Sequence, residues 1–115
     1  MSHQEVKMKI GIDIEKIDRF KLDRKNSFLI NNFSEKELDY AFLTSNPESS
    51  LCGFFCAKEA LIKTINENRL LMKDIEIIHN TSGEPKIRIL KETDKKFLLS
   101  ISHCESYSIA VVIRL

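Results

Sequence analysis

The chain lacks a large excess of charge of either sign. Its 18 Lys and Arg residues face 17 Asp and Glu residues, and the formal net charge is +1 at pH 7. Binding nucleic acid through bulk electrostatics needs strong positive charge, so the composition predicts no nucleic-acid partner. A local basic patch that recognises an acidic protein remains compatible with this balance.

Cysteine is also scarce. Three cysteines in an otherwise ordinary composition favour reduced thiols in a cytoplasmic setting over a disulfide framework. Cys52, Cys56, His103 and Cys104 offer a zinc set, but their spacing is not that of a usual finger or ribbon. Buried free cysteine commonly behaves as a small hydrophobic residue, so we favour that role over a metal-thiolate site.

Long apolar runs are absent. No stretch approaches the ~18 apolar residues of a membrane-spanning helix, and the start, MSHQEVKMKI, has no apolar core of signal-peptide length. We therefore expect no membrane segment and a cytoplasmic location. The 115 residues, of which 43% are hydrophobic, contain no internal repeat and suit one domain, residues 1–115, with a modest core.

The first half of the chain predicts one strand followed by helices. Apolar and polar residues alternate up to Asp13, which then stands at the end of a half-buried strand. Ser34 is the expected cap of a short helix, and Pro47 suits the first turn of a long helix capped by Ser45 or Asn46. The predicted segments are a strand over 7–13, an interrupted helical region over 14–30, and helices over 34–43 and 47–66.

The second half predicts four strands in two hairpins. Alternating apolar residues on either side of short turns pair residues 74–80 with 85–90, and residues 97–103 with 107–115. The order is thus β-α-α-α-β-β-β-β, an α+β fold in which one long buried helix packs on an antiparallel sheet.

The long helix has almost no polar side. At ~100° per residue, the sequence LCGFFCAKEALIKTI (51–65) leaves only a narrow polar sector, which holds Glu59, Lys63 and two cysteines. Such a sector is expected to open onto a cleft or an interface. Lys58 falls inside the apolar arc, where its stem would lie on the core and its nitrogen would reach the edge.

The charged residues allow two interpretations. Glu59 and Lys63 suit an ordinary i,i+4 ion pair, Asp13 suits a helix cap at Ile14, and His103 suits a hydrogen-bonded core histidine. Alternatively, Asp13 and Glu59 would hold Mg²⁺ and Lys63 would face the phosphates of a substrate, since phosphoryl transfer asks mainly for positioning and charge neutralisation. The spacing alone does not decide between them.

Five motifs resemble one known family. They lie in the order of the holo-[acyl-carrier-protein] synthase family, a small class of 4′-phosphopantetheinyl transferases, and the similarity extends from about Met8 to Val112. The motifs are GIDI (11–14), F-x-x-K-E-A-L-x-K (55–63), DIEI (74–77), SGEP (82–85) and SISH (100–103).

The resemblance implies transfer of the 4′-phosphopantetheine arm of coenzyme A to a serine of an apo acyl carrier protein. Asp13 and Glu59 would be ligands of Mg²⁺, Lys63 would contact the pyrophosphate and assist the leaving group, and His103 would lie beside the bound phosphates. Glu59, Lys63 and His103 are thus the implied catalytic residues. Family members are similar in forming homotrimers with the coenzyme between subunits. Further implied coenzyme-binding residues are Lys58, Ser82, Gly83 and Pro85.

Four basic residues follow the first strand, where related enzymes dock the acidic carrier: Arg19, Lys21, Arg24 and Lys25. The resemblance implies that they bind the carrier protein. Because Asp18 and Asp23 are interspersed, an ordinary solvated face is the alternative.

The chain departs from the family pattern at three places. Phe54 stands where relatives commonly have an arginine, Glu84 replaces a basic turn residue, and Asn66-Glu67-Asn68 replaces a glycine-rich loop. Contacts to the coenzyme would then shift to Lys58, Arg69 or Lys73. A non-catalytic binder of coenzyme or carrier protein, and a structural oligomeric module, are the alternative functions.

Overall fold

The computed structural model describes residues 7–65, 70–91 and 93–115. Its order of helices and strands is the predicted one, with two short 3₁₀ helices added at Ile17–Phe20 and Met72–Asp74. No helix in these ranges is both long and apolar enough to cross a membrane. The elements are β1 (Lys9–Lys16), α1 (Ser27–Asn32), α2 (Glu35–Leu43), α3 (Pro47–Ile62), β2 (Ile75–His79), β3 (Pro85–Ile89), β4 (Phe97–His103) and β5 (Tyr107–Arg114).

The strands form two antiparallel sheets. One has the order β1-β5-β4, and the other is the β2-β3 hairpin. In the three-stranded sheet Asp13 lies opposite Ala110, which lies opposite Ile101 on its other side. β1 and β4 are therefore the two edges of this sheet, and β5 is its centre.

α3 packs across one face of the three-stranded sheet, mainly over β1 and β5. The approach is close because Gly11 has no side chain: a Cβ built there would lie 1.9 Å from the carbonyl oxygen of Ala60. Gly53 contacts β4 less tightly, since a Cβ there would lie 3.1 Å from Ile101 Cγ2. The core between these layers is continuous with the buried side chains of Phe20, Leu29 and Phe33.

Both predicted helix starts are confirmed. Ser34 forms a capping box with Glu37, in which each side chain accepts a hydrogen bond from the other residue's backbone N–H. Asn46 caps α3 by accepting from the N–H of Ser49 at 3.1 Å, and Pro47 occupies the first turn. The predicted end of α3 was wrong, because the helix stops at Ile62; residues 66–68 lie outside the described residues.

The predicted end of the first strand was also wrong. β1 continues through Lys16, which pairs with Tyr107, so the region from Ile14 is extended rather than helical. Asp13 therefore lies within the strand and caps no helix, which removes the helix-cap alternative. Pairing with the distant β5 overrides the local helical periodicity here.

The apolar side of β1 does not face the core of its own chain. Met8, Ile10, Ile12 and Ile14 are each more than half exposed, while Gly11 is buried under α3. Neighbouring strands continue this outer surface, because Ile113, Val111 and Ile109 of β5 lie opposite the three isoleucines. We call Ile10, Ile12 and Ile14, their three β5 partners and Leu98 of β4 the outer apolar face.

Candidate functional site

A carboxylate cluster forms where β1 passes the end of α3. Lys63 Nζ donates to Asp13 Oδ1 at 3.2 Å and to the carbonyl oxygen of Ile12 at 2.7 Å. Glu59 lies one turn earlier on the same side of α3 and is half-buried. Lys63 thus pairs with Asp13 across the two elements, which the local i,i+4 interpretation did not include.

One carboxylate oxygen of Asp13 is buried without a hydrogen-bond donor. Its side chain is only 11% exposed, and the buried Oδ2 atom accepts no hydrogen bond in the structure. A buried carboxylate oxygen without a partner is costly, so its retention points to a cation, a water or a proton on the neighbouring Glu15 at this position.

Glu15 is a member of the cluster that the sequence interpretation missed. Burial raises the pKa of Glu15, the adjacent Asp13 carboxylate raises it further, and the charge of Glu59 adds a smaller effect, whereas Arg19 lowers it. The signal in the sequence was the two-residue spacing from Asp13, which puts both carboxylates on one face of an extended strand. A strand that ends at Asp13, as the sequence predicts, does not include Glu15.

The cluster suits a hard cation. Within the part of the chain described, no three His, Cys, Asp or Glu side chains are arranged to hold a metal ion by themselves. Mg²⁺ does not require this, since one or two carboxylates commonly hold it together with substrate phosphates and waters. The unpartnered Asp13 Oδ2 supplies one such carboxylate oxygen, and Glu59 on α3 is the candidate for the second.

A second candidate region is a pocket of about 230 Å³ on the β4 side of α3. It contains two of the expected coenzyme-binding residues, Pro85 and His103. His103 is exposed, so the core-histidine alternative is wrong. The lining residues are Tyr40, Ser49, Ser50, Gly53, Phe54, His79, Pro85, Ile101 and His103.

Three aromatic rings form one wall of this pocket. Tyr40 and His79 are stacked with centroids 4.0 Å apart and planes 2° from parallel, and Phe54 is tilted against both at 5.8 and 5.6 Å. Burial lowers the pKa of His79 and favours its neutral form. Phe54 is buried at the place where the family pattern predicts a cation.

The SGEP turn connects β2 to β3 beside the pocket. Gly83 has φ +86°, which suits glycine, and Ser82 Oγ donates to Asn80 Oδ1 at 2.6 Å. Only Pro85 of this turn lines the pocket. Ser82 and Gly83 remain predicted coenzyme contacts.

Lys58 requires a correction. Its ammonium is fully buried, where it donates to Glu37 Oε1 at 2.6 Å and to the carbonyl oxygen of Asn32 at 2.8 Å. The nitrogen therefore does not reach the edge of the core and is not available to phosphates. Burial lowers the pKa of Lys58, while Glu37 acts in the opposite direction. Lys58 is a structural residue, and we remove it from the coenzyme-binding set.

The predicted docking residues lie on and after the first 3₁₀ helix. Lys21 and Lys25 are exposed, Arg19 pairs with Glu15, and Arg24 pairs with Asp39. We call Arg19, Lys21, Arg24 and Lys25 the basic patch. Through its pair with Glu15, Arg19 connects this patch to the carboxylate cluster.

The cysteines are free. Cys52 and Cys56 are buried, where their thiols face the carbonyl oxygens of Glu15 and Ser108. They pack on the sheet rather than opening onto a cleft, so only Glu59 and Lys63 remain of the predicted polar sector.

The two regions lie at opposite edges of the three-stranded sheet. Asp13 belongs to the β1 edge, whereas Ile101 and His103 belong to the β4 edge, with β5 between them. One chain therefore presents the carboxylate cluster and the aromatic pocket as separate surfaces.

Comparison with known proteins gives a consistent result. Residues 9–112 match the model of the 4′-phosphopantetheinyl transferase superfamily. The holo-[acyl-carrier-protein] synthase of Thermodesulfovibrio yellowstonii is 35% identical over 108 residues, covering 90% of this chain and 95% of that protein.

Solved structures agree. The Bacillus anthracis holo-(acyl-carrier-protein) synthase in complex with CoA (3′,5′-ADP) is 28% identical with a TM-score of 0.79, covering 91% of this chain and 93% of that one. The Helicobacter pylori enzyme in complex with coenzyme A is 30% identical with a TM-score of 0.77, covering 93% and 100%. The chain therefore belongs to the holo-[acyl-carrier-protein] synthase family of 4′-phosphopantetheinyl transferases.

Proposed function

We propose that this enzyme transfers the 4′-phosphopantetheine group of coenzyme A to a serine of an apo acyl carrier protein, with Mg²⁺, and releases adenosine 3′,5′-bisphosphate. The observation that carries the proposal is the contact of Asp13 with Lys63, one turn after Glu59 on α3, together with the unpartnered Asp13 oxygen, in a chain of this family. The composition, with its three free thiols, supports a cytoplasmic setting.

The chemistry follows from these side chains. Asp13 and Glu59 would hold Mg²⁺, which when bound neutralises charge on the pyrophosphate. Lys63 contacts the pyrophosphate and stabilises the oxygen that leaves with the adenosine bisphosphate. The serine oxygen forms a bond to the pantetheine-linked phosphorus as the anhydride P–O bond breaks. Glu59, directly or through a water, accepts the serine proton. His103 lies beside the nucleotide phosphates in this arrangement.

A homotrimer completes the site in this proposal. Four side chains of the outer apolar face, Ile10, Ile12, Ile14 and Leu98, are more than half exposed, which supports burial of this face against other copies of the chain. The half-sites at opposite edges support a head-to-tail contact, which closes into a ring. The carboxylate cluster of one subunit would then meet the aromatic pocket of its neighbour.

Complementation tests this arrangement. Mixed oligomers of Asp13→Ala and His103→Ala subunits should regain activity, because about a quarter of their interfaces would pair two intact half-sites. A variant that carries both substitutions should stay inactive, because none of its oligomers contains an intact half-site. If mixing restores nothing although the subunits exchange, the site lies within one subunit and the shared-site proposal fails.

The carrier protein would dock on the basic patch. Lys21 and Lys25 are free to approach an acidic surface, and Arg19 lies next to the carboxylate cluster through Glu15. Charge reversal at Lys21 and Lys25 should raise the KM for the carrier and leave the KM for coenzyme A unchanged, because these side chains face only the protein substrate. Equal effects on both KM values would contradict docking at this patch.

The main experiment is a carrier-loading assay followed by intact-protein mass spectrometry, with and without Mg²⁺. Asp13→Ala and Glu59→Ala should abolish the mass increase, whereas Asp94→Ala, which removes an exposed carboxylate before β4, should retain it. Full activity of either site variant would contradict the metal assignment. Calorimetric binding of coenzyme A without loading of several carriers would identify a non-catalytic binder instead.

A further inference from the structure

The aromatic pocket has an uncharged wall over the residues that the structure describes. Among the described residues that line it, none is Lys, Arg, Asp or Glu; the polar groups are serine hydroxyls, a tyrosine hydroxyl and two imidazoles. Phe54 and the Tyr40–His79 stack supply flat apolar surface. Such a wall favours a planar or neutral group, and a phosphate dianion against it would lose water without gaining a lysine or arginine from the described residues of the same subunit.

Among the described residues around the pocket, positive charge is matched by negative charge. The N-terminus of α3 carries a partial positive charge. The carboxylate of Glu48 in the first turn offsets this charge, and the Asn46 side chain accepts a hydrogen bond from the N–H of Ser49. In the turn before Pro85, Glu84 adds a carboxylate, and Lys86 Nζ lies 4.0 Å from its Oε1. These described groups therefore leave no clear excess of positive charge beside the pocket.

We propose that this pocket accepts the ribose end of the donor nucleotide without requiring a phosphate at its 3′ position, so that 3′-dephospho-coenzyme A is nearly as good a donor as coenzyme A. The inference rests on the proposed function and names the donor class of the same site. The neutral hydroxyls of Ser49, Ser50 and Tyr40 suit a ribose hydroxyl.

The reaction with this donor is balanced in the same way. The carrier serine oxygen forms a bond to the pantetheine-linked phosphorus, the anhydride P–O bond breaks, and adenosine 5′-monophosphate leaves. The serine proton goes to the same base, and the carboxylate cluster at the other edge of the sheet is unchanged.

The test compares the two donors in carrier loading. For the wild-type enzyme we expect kcat/KM values within about threefold of each other. Phe54→Arg should raise the preference for coenzyme A about tenfold or more, because a guanidinium would form a charge-assisted hydrogen bond with the 3′-phosphate. Phe54→Leu is the matched control: it removes the ring without adding charge and should leave the ratio near its wild-type value.

Because Phe54 is buried, its arginine variant is a risk to folding. Ser50→Arg places the same cation at a partly exposed position of the pocket wall and should shift the ratio in the same direction. Each ratio compares two donors on one protein sample, so a partly folded variant still reports it.

A calorimetric measurement separates failure of this inference from failure of the transferase function. Adenosine 3′,5′-bisphosphate and adenosine 5′-monophosphate should bind the wild-type enzyme within about threefold of each other even if no carrier is loaded. A wild-type preference of about a hundredfold for the 3′-phosphorylated donor or nucleotide overturns the inference, and efficient loading from coenzyme A would then leave the transferase function intact. Absence of binding by both nucleotides also overturns it.

Discussion

The buried pair of Lys58 and Glu37 gives a quantitative prediction about stability. Glu37 connects three parts of the fold: its Oε1 accepts from Lys58 and from the N–H of Ser34 at 2.9 Å, and its Oε2 accepts from the N–H of Ile77 at 2.9 Å. Both side chains are completely buried. The pair thereby joins α2 to α3 and to β2.

Lys58→Met leaves the Glu37 carboxylate in the core without its cation. Removing one partner of a buried ion pair costs about 3–5 kcal/mol, far more than an exposed pair contributes. For a chain of this size, at about 4 °C per kcal/mol, we expect Tm to fall by about 12–20 °C. Methionine keeps most of the volume of the lysine stem, so the loss reports charge rather than a cavity.

The assay is chemical denaturation at one fixed protein concentration, because association contributes to the stability of an oligomer. Lys58→Met combined with Glu37→Gln should be more stable than Lys58→Met alone, since the double variant no longer buries an unpaired charge. Lys36→Met, on the exposed side of α2, should change the free energy of unfolding by no more than about 0.5 kcal/mol. A cost below about 1 kcal/mol for Lys58→Met would refute the reasoning.

Other expectations follow from the close contacts, the outer apolar face and the buried imidazole. Gly11→Ala should destabilise the fold by about 3 kcal/mol in denaturant melts, because its Cβ would collide with the Ala60 backbone, whereas Gly53→Ala meets only a side chain and should cost much less. If the chain forms the proposed trimer, Ile12→Glu should shift sedimentation towards the monomer; an unchanged trimer would exclude this face from the interface. Burial lowers the pKa of His79 below its unfolded value of about 6.5, so the unfolded chain binds more protons as the pH is lowered through this range, and the free energy of unfolding decreases. His79→Leu should weaken this pH dependence in melts between pH 5 and 7.

The parts of the fold that depend on neighbouring residues were predictable from the sequence. The starts of α2 and α3 follow from Ser34, Asn46 and Pro47, whose hydrogen-bonding and backbone preferences act within one turn. The β4-β5 hairpin likewise follows from alternation around a short turn. The end of β1 was not predictable in this way, because pairing of Lys16 with Tyr107 is a contact between residues far apart in the chain.

The site residues also fall into those that the sequence predicts and those that depend on distant contacts. Asp13, Glu59, Lys63 and His103 were recognised through family motifs, and in the structure Lys63 contacts Asp13. Glu15 was missed because its role depends on β1 continuing past Asp13. Lys58 was misassigned because a helix pattern shows that a lysine lies on the apolar side but does not show that Glu37, from another helix, meets it there.

The outer apolar face shows why a period-two pattern has two meanings. The alternation of apolar and polar residues in β1 predicts that one side of the strand is buried. It does not indicate whether the same chain or another copy covers that side. Here Gly11 must face α3, because any side chain would collide with Ala60, and this requirement turns Ile10, Ile12 and Ile14 outward. The register of the isoleucines is therefore set by the glycine that allows helix and strand to meet at the carboxylate cluster. The contact that assembles one half of the site thus also creates the surface through which a second copy would supply the other half.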